Sequence, residues 1–214
     1  MAAAALVLLL PAGARAQELP AAPVIEAPAD GAILGSERVR FTGSAGSEAV
    51  AVHAYRYWWG DTERIADVPV LEGRWTFDAV FAEPGGHVRV FALDTAGVLS
   101  DAARVSFRID ITGPWVSVRS PRDLNVVSSP FSLSAATTDL AGVARAVAHF
   151  ENVATSTRTS IDMDCEEETD CRSGWFGEWG TNVSLETGIY RVGVSAVDAV
   201  GNFGAGELMR LIVL

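Results

Sequence analysis

The sequence predicts an all-β protein built from two β-sandwich domains in tandem. Three observations predict it: short runs in which apolar and polar residues alternate, turn-forming residues between those runs, and a second copy of the pattern later in the chain. Alternation with a period of two indicates strands with one buried face, and strands at intervals of about 8–12 residues are typical of a sandwich. The 214 residues give room for two such domains.

The alternating runs are clear in the first half of the chain. Clusters of Gly, Pro, Asp and Ser, which favour turns, separate them. No long segment has the 3.6-residue period of an amphipathic helix, so we expect strands throughout. The runs are Val24-Ile25, Arg38–Phe41, Val50–Trp59, Trp75–Phe81, His87–Leu93 and Val105–Ile109.

An internal repeat supports the division into two domains. Shifted by 104 positions, residues 73–109 align with residues 177–213 without a gap. The matching positions are Gly73/Gly177, Trp75/Trp179, Val88/Val192, Val90/Val194, Ala92/Ala196, Asp94/Asp198 and Gly97/Gly201. Pro28 matches Pro121 at a shift of 93, so the second copy carries about eleven extra residues. The acidic segment 162–172 is the predicted insertion.

The repeat and the local composition together set the predicted boundaries. Each copy then has about the hundred residues of one sandwich. The predicted segments are a signal peptide over 1–16, a Pro/Ala-rich linker over 17–22, a first sandwich over 23–110, a linker over 111–113, and a second sandwich over 114–214 with an acidic disulfide loop over 162–172.

The N-terminus predicts export. The apolar run Leu6–Leu10 is too short to span a bilayer, and Ala14-Arg15-Ala16 is similar to a signal-peptidase site. The alternative is an apolar N-terminal strand or tail. We expect the mature protein to carry no membrane span and to reside in the periplasm, at the cell surface or in the medium.

Three short segments resemble the bacterial immunoglobulin-like domains that occur in tandem in exported and surface proteins. They are Tyr190–Asn202, which Val88–Gly97 echoes, the junction Asp110–Pro121, and the opening Pro23–Gly31. The resemblance implies an immunoglobulin-like sandwich fold and an exported setting, and it implies no ligand. It also implies a tyrosine corner at Tyr190, whose phenol would bond back to the chain just upstream.

Composition and motifs exclude several functions. The formal net charge is −11, and the sixteen basic residues, all Arg, form no cluster of the kind that phosphate binding needs, so we predict no nucleic-acid partner. The three His are dispersed, and the sequence contains no zinc-protease motif, nucleophile elbow or phosphate-binding glycine loop. The chain is therefore predicted not to be an enzyme, and calcium is the one candidate cofactor.

Two cysteines, Cys165 and Cys171, lie in the acidic loop. Close cysteines in an oxidising compartment usually form a disulfide, and two thiols without a nearby His pair make a poor zinc site. We therefore predict a Cys165–Cys171 bridge.

The same loop is dense in carboxylates, and calcium prefers several hard oxygen ligands on a flexible loop. The spacing is not that of an EF-hand, and the alternative is a solvated acidic hairpin. The candidate calcium ligands are Asp162, Asp164, Glu166, Glu168 and Asp170.

A candidate ligand-binding face lies on the predicted strand Val50–Trp59. Side chains alternate along a strand, so rings at alternate positions share one face. Those residues are His53, Tyr55, Tyr57 and Trp59. The opposite, core-facing set is predicted to be Val50, Val52, Ala54 and Trp58, and we expect the rings to be more exposed than Val50 and Val52. The alternative is that another element covers the rings.

These features predict a non-enzymatic exported module that acts as a structural spacer or as an adhesion or docking domain pair. The main alternative is a carbohydrate- or protein-binding module that uses the aromatic face of the first domain. A second alternative is an accessory part of a secreted enzyme system. The expected partners are a protein or a glycan at the cell surface.

Overall fold

The computed structural model describes residues 18–58, 60–166, 171 and 175–214. The predicted signal peptide therefore lies outside the described residues, as do Trp59, Glu168 and Asp170. In the described part of the chain no helix is long and apolar enough to cross a membrane.

The first sandwich consists of two sheets that face each other. One sheet has the order β1-β3-β6 and the other the order β2-β8-β7-β4-β5; β2 pairs with β8 in parallel and the remaining pairs are antiparallel. This is the immunoglobulin-like arrangement of strands in two sheets. The strands are β1 (Val24–Ala27), β2 (Ala32–Leu34), β3 (Arg38–Ser44), β4 (Ala49–Trp58), β5 (Asp61–Pro69), β6 (Arg74–Val80), β7 (Gly85–Asp94) and β8 (Ala103–Ile109).

Aromatic rings fill the core between these two sheets. Phe41 stacks on Phe77 with ring centroids 4.8 Å apart, and Phe81 meets Phe107 edge-on at 4.9 Å. Trp75 packs into the same cluster, and its indole Nε1 donates a hydrogen bond to the Ser44 carbonyl. Rings of this size bury about 150–250 Å² each, so they supply much of the stabilisation of this sandwich.

The second sandwich repeats the strand order. Its strand β13 pairs with β12 along most of its length and with β14 at its end, which joins the two sheets into one hydrogen-bonded series. The strands are β9 (Trp115–Ser120), β10 (Asn125–Val127), β11 (Phe131–Thr138), β12 (Val143–Asn152), β13 (Arg158–Cys165), β14 (Phe176–Val183), β15 (Gly188–Asp198), β16 (Phe203–Ala205) and β17 (Met209–Val213). The prediction of an all-β chain with two immunoglobulin-like sandwiches is confirmed.

The second core is centred on Trp179, whose Nε1 donates a hydrogen bond to the Thr137 hydroxyl at 3.0 Å. The Tyr190 hydroxyl donates to the Glu186 carbonyl at 3.0 Å, which is the tyrosine corner that the resemblance implied. In the first sandwich Gly86 stands at the aligned position. A Cβ there would lie 2.8 Å from the Phe81 ring, so Phe81 fills that space instead.

The turn that follows β7 in the first sandwich has the same structure as the turn that follows β15 in the second. The Asp94 carboxylate accepts hydrogen bonds from the Ala96 and Val98 amides, and the Asp198 carboxylate accepts them from the Val200 and Asn202 amides. Gly97 and Gly201 close these turns with φ of +80° and +99°, which is the region that favours glycine. The aligned Asp and Gly positions of the repeat therefore have a structural cause.

The acidic insertion differs from its predicted bounds. Residues 162–165 belong to strand β13, because β13 pairs with strands on both of its edges, and the loop begins at Glu166. Extra residues relative to the first sandwich lie both in this loop and in the β12–β13 connection, where residues 153–157 replace residues 59–60. Cys165 and Cys171 are disulfide-bonded across the loop, with their Cα atoms 6.3 Å apart.

We expect the disulfide to contribute only roughly 2 kcal/mol to the free energy of unfolding, because it closes a very short loop in the unfolded chain. Urea denaturation of exported protein with and without reductant measures this difference, and intact mass verifies the oxidised state. Two free thiols in the exported protein would contradict the assignment.

Candidate functional site

Three of the four predicted ring residues lie together on the outer surface of the five-stranded sheet, which we call the aromatic face (His53, Tyr55, Tyr57, Arg89 and Phe91). Tyr55 meets the Phe91 ring edge-on at 5.8 Å, and the Arg89 guanidinium lies 4.2 Å from the centre of the Tyr57 ring. The His53 Nε2 is 3.1 Å from a carboxylate oxygen of Asp67 on the neighbouring strand. These rings are half-buried.

The predicted core-facing set is right in the middle of β4 and wrong at its ends. Val52 and Ala54 are fully buried, but Val50 is 43% exposed and Trp58 is 42% exposed. A register shift between Ala49 and Ala51 turns Val50 out of the core, so Val50 is more exposed than the half-buried rings. Trp58 is the last residue of the strand and lies at the edge of the core.

The described members of the predicted calcium set do not form a ligand cluster. Asp162 lies on β13 and is bound to Arg145, whose Nε is 2.8 Å from its carboxylate. Glu166 follows the end of the strand, and its amide donates to the Glu178 carbonyl. Calcium binding by this loop stays a prediction, and Asp162 would have to leave Arg145 to take part.

A different set of carboxylates does converge, at the junction of the two sandwiches. We call Asp110, Asp139 and Asp198 the junction carboxylates. All three are buried, and ligand oxygens from the three residues lie within 4.8 Å of one another. Asp110 and Asp139 directly follow β8 and β11, and Asp198 is the last residue of β15. Among the described residues this is the group of acidic side chains that could hold a metal ion.

The sequence contains a signal for this group. Each junction carboxylate begins an Asp-x-x-Gly segment, which ends at Gly113, Gly142 or Gly201. The segments are far apart in sequence, and each one alone is an ordinary turn. Only the fold shows that the three turns meet.

Hydrogen bonds hold the junction carboxylates in place. The Ala141 amide donates to a carboxylate oxygen of Asp110 at 3.0 Å and to one of Asp139 at 2.8 Å. The Asn202 side-chain amide donates to the Asp198 carboxylate at 2.7 Å and to the Asp110 carbonyl at 2.9 Å. The last residues of the first sandwich are therefore bonded to two turns of the second.

The electrostatics of this group are unfavourable when all three side chains are ionised. Burial, together with the nearby carboxylates of Asp110 and Asp198, raises the pKa of Asp139 to about 6, against the opposing hydrogen bond from the Ala141 amide. In the described part of the chain none of the three forms an ion pair with a basic side chain. Buried like charges are stabilised by taking up a proton or by binding a hard cation such as calcium.

Asp139→Asn is expected to raise the melting temperature of the second sandwich by a few degrees at about pH 7.5 and to have little effect at about pH 4.5. The folded-state pKa of Asp139 lies above its ordinary value of 3.8, so the protonated side chain favours the folded state. That stability is present below about pH 4 and is lost as the pH rises through about 6. Melting curves of both proteins across this pH range measure the difference.

The exposed Asp101 supplies the matched control, since Asp101→Asn should leave the melting temperature unchanged at each pH. A constant difference between Asp139→Asn and the wild type across the pH range would contradict the account. Repeating the wild-type melt with calcium and with chelator separates proton uptake from cation binding. Stabilisation by calcium that Asp139→Asn abolishes indicates a bound cation, and unchanged curves indicate a proton alone.

The fold and its junction define a class of protein, a tandem pair of immunoglobulin-like β-sandwiches. No protein-family model and no curated protein matches the chain. Solved structures that it resembles include the fibronectin(III)-like modules of Clostridium thermocellum CbhA, at 14% identity and a TM-score of 0.41, with 90% of this chain and 93% of that chain covered. The FN1–FN3 domains of chicken CNTN1 match at 17% identity and 0.40, with 91% and 68% covered. The ligand-binding domain of human OSCAR matches at 12% and 0.40, with 90% and 99% covered. Similarity at this level is low, and the fold assignment rests on the strand order of the chain itself.

Proposed function

We propose that the chain is a non-enzymatic structural spacer of an exported protein and that it holds its two sandwiches in a fixed relative orientation. The observation that carries the proposal is the packing of the junction residues against the turn and short hairpin between β15 and β16. The disulfide and the N-terminal sequence support the exported setting.

The junction backbone packs against the hairpin without space for side chains. A Cβ on Gly113 would lie 2.0 Å from the Phe203 carbonyl oxygen, and a Cβ on Gly204 would lie 1.9 Å from the Pro114 carbonyl oxygen. Two backbones therefore meet here directly, and only glycine permits the approach. A linker packed in this way has little freedom to change its backbone conformation.

Further contacts connect the two sandwiches on either side of the linker. Gly35, just after β2, packs against Val200 of the second sandwich, whose carbonyl oxygen would lie 2.9 Å from an added Cβ. The bonds from Ala141 and Asn202 to Asp110 cross the same boundary. Domains joined only by a loose linker reorient freely, whereas several contacts of this kind restrict both bending and twisting.

Pulsed dipolar spectroscopy tests the spacer directly. Spin labels attached by non-cysteine chemistry at Asp101 and Thr155, which are exposed on different sandwiches, leave the disulfide intact. We expect one narrow distance distribution for the wild type and a broader one for Asn202→Ala, which removes a bond across the junction. A broad wild-type distribution would contradict the proposal.

A second candidate function is ligand binding at the aromatic face. The observation that favours it is the set of rings on one outer surface, with Arg89 beside Tyr57, which suits stacking on a sugar ring or packing on a protein partner. Tyr57→Ala and Trp59→Ala are expected to abolish signals on a glycan array while leaving the melting temperature nearly unchanged. No glycan signal from the wild type would contradict sugar binding at this face.

A further inference from the structure

A concavity of the described chain lies where the first sandwich faces the second. It has a volume of about 910 Å³, within the range of small-ligand sites. Its lining includes Arg56, Trp58, His87, Ser106 and Arg108 of the first sandwich and Trp175 of the second. We call this the junction cleft. It shares Tyr57 and no other residue with the aromatic face.

The junction cleft is locally basic in a protein of net charge −11. Its lining has two arginines, Arg56 and Arg108, and one carboxylate, Glu83, which already accepts a hydrogen bond from the Ile111 amide. A second carboxylate, Glu63, lies outside the lining and pairs with Arg56. A guanidinium binds a carboxylate through two parallel hydrogen bonds, which makes arginine the preferred residue for this anion. The cleft therefore suits a ligand that carries carboxylate groups.

The Arg56 guanidinium is held rigidly at this site. It lies 4.3 Å from the centre of the Phe81 ring and 5.8 Å from that of Trp58, and one of its terminal nitrogens donates to the Val80 carbonyl. Its other terminal nitrogen is 3.7 Å from Glu63, and its buried Nε has no hydrogen-bond partner among the described residues. Stacking fixes the plane of the guanidinium, and the long ion pair with Glu63 is the contact that a carboxylate of the ligand would replace.

The two sandwiches each contribute an exposed indole to the cleft. Trp58 is 42% exposed and Trp175 is 66% exposed, so both indoles are accessible to a ligand in the cleft. The apolar C–H face of a pyranose packs on an indole ring. The His87 Nδ1 and the Ser106 hydroxyl, 2.8 Å apart, add hydrogen-bonding groups that suit sugar hydroxyls.

We propose that the junction cleft binds an acidic oligosaccharide whose sugar rings carry carboxylates, as uronic acids do. The rings pack on Trp58 and Trp175, and the carboxylates bind Arg56 and Arg108. This site goes beyond the spacer function, because the orientation of the sandwiches requires no ligand. The proposed ligand of the junction cleft is a charged glycan, whereas the aromatic face suits neutral sugars or a protein.

Isothermal titration of the full chain with oligogalacturonate tests the proposal, with the methyl ester of the same oligomer as the neutral match. Chelator is present throughout, because polyuronates bind calcium. We expect oligogalacturonate to bind in a salt-sensitive manner and the ester to bind at least ten-fold more weakly. Arg56→Gln, Trp58→Ala and Trp175→Ala are each expected to weaken binding at least ten-fold.

Arg40→Gln and Trp115→Ala are the matched controls, since they remove an exposed arginine paired with Asp78 and an exposed indole outside the cleft. Both should bind oligogalacturonate like the wild type, and melting curves verify that every variant is folded. The proposal would be overturned if the wild type does not bind oligogalacturonate or binds the acid and the ester equally. It would also be overturned if the control variants lose as much affinity as the cleft variants. The distance distribution between the spin labels does not depend on ligand binding, so it tests the spacer function separately.

Discussion

Trp179→Ala is expected to lower the free energy of unfolding of the second sandwich by about 3–5 kcal/mol, as for other buried tryptophans replaced by alanine. The side chain is 4% exposed and lies at the centre of the core. Its loss leaves a cavity. It also removes the indole N–H that donates a hydrogen bond to the buried Thr137 hydroxyl. Urea denaturation followed by circular dichroism measures the change.

Trp115→Ala is the matched control, because Trp115 is 59% exposed on β9 of the same sandwich. Substitutions of exposed side chains usually change stability by no more than about 0.5 kcal/mol. Equal losses for the two variants would show that the packing described for Trp179 is wrong.

Gly204→Ala is expected to have the largest effect on the junction. The new Cβ would lie 1.9 Å from the Pro114 carbonyl oxygen, so either the linker or the hairpin must move. Forcing a methyl group into closely packed structure costs about 1–3 kcal/mol. We expect a broader distance distribution between Asp101 and Thr155, together with a loss of stability in this range.

Gly180→Ala provides the control for Gly204→Ala. Gly180 lies on β14, and the nearest atom to an added Cβ is 3.6 Å away, which is ordinary contact. The control should therefore keep the narrow distribution of the wild type. A narrow distribution for Gly204→Ala as well would show that the hairpin contact does not restrict the linker.

The sequence was sufficient to predict the fold because the repeat preserves what the fold needs. Trp75 and Trp179 occupy the same place in the two cores, and the turns after Asp94 and Asp198 use the same hydrogen bonds. Alternating apolar residues mark buried strand faces whatever the neighbouring strands are. Local patterns of this kind depend on residues that are close in sequence.

The features that sequence reasoning missed depend on residues that are distant in sequence. Val50 leaves the core through a bulge whose position is set by pairing with β7. The junction carboxylates come from three turns, one in the linker and two in the second sandwich. Trp58 and Trp175 meet in one cleft only because the two sandwiches lie against each other. None of these arrangements has a periodic signal within one segment.

Residual dipolar couplings of backbone amides test the central claim most directly, which is that the two sandwiches have a fixed relative orientation. Couplings from β3, β4 and β7 define an alignment tensor for the first sandwich, and those from β11, β12 and β15 define one for the second. The account predicts two tensors of equal magnitude and a common orientation for the wild type, and unequal magnitudes for Gly204→Ala. Tensors of clearly different magnitude in the wild type would contradict it, because they would show that the sandwiches reorient independently about the junction.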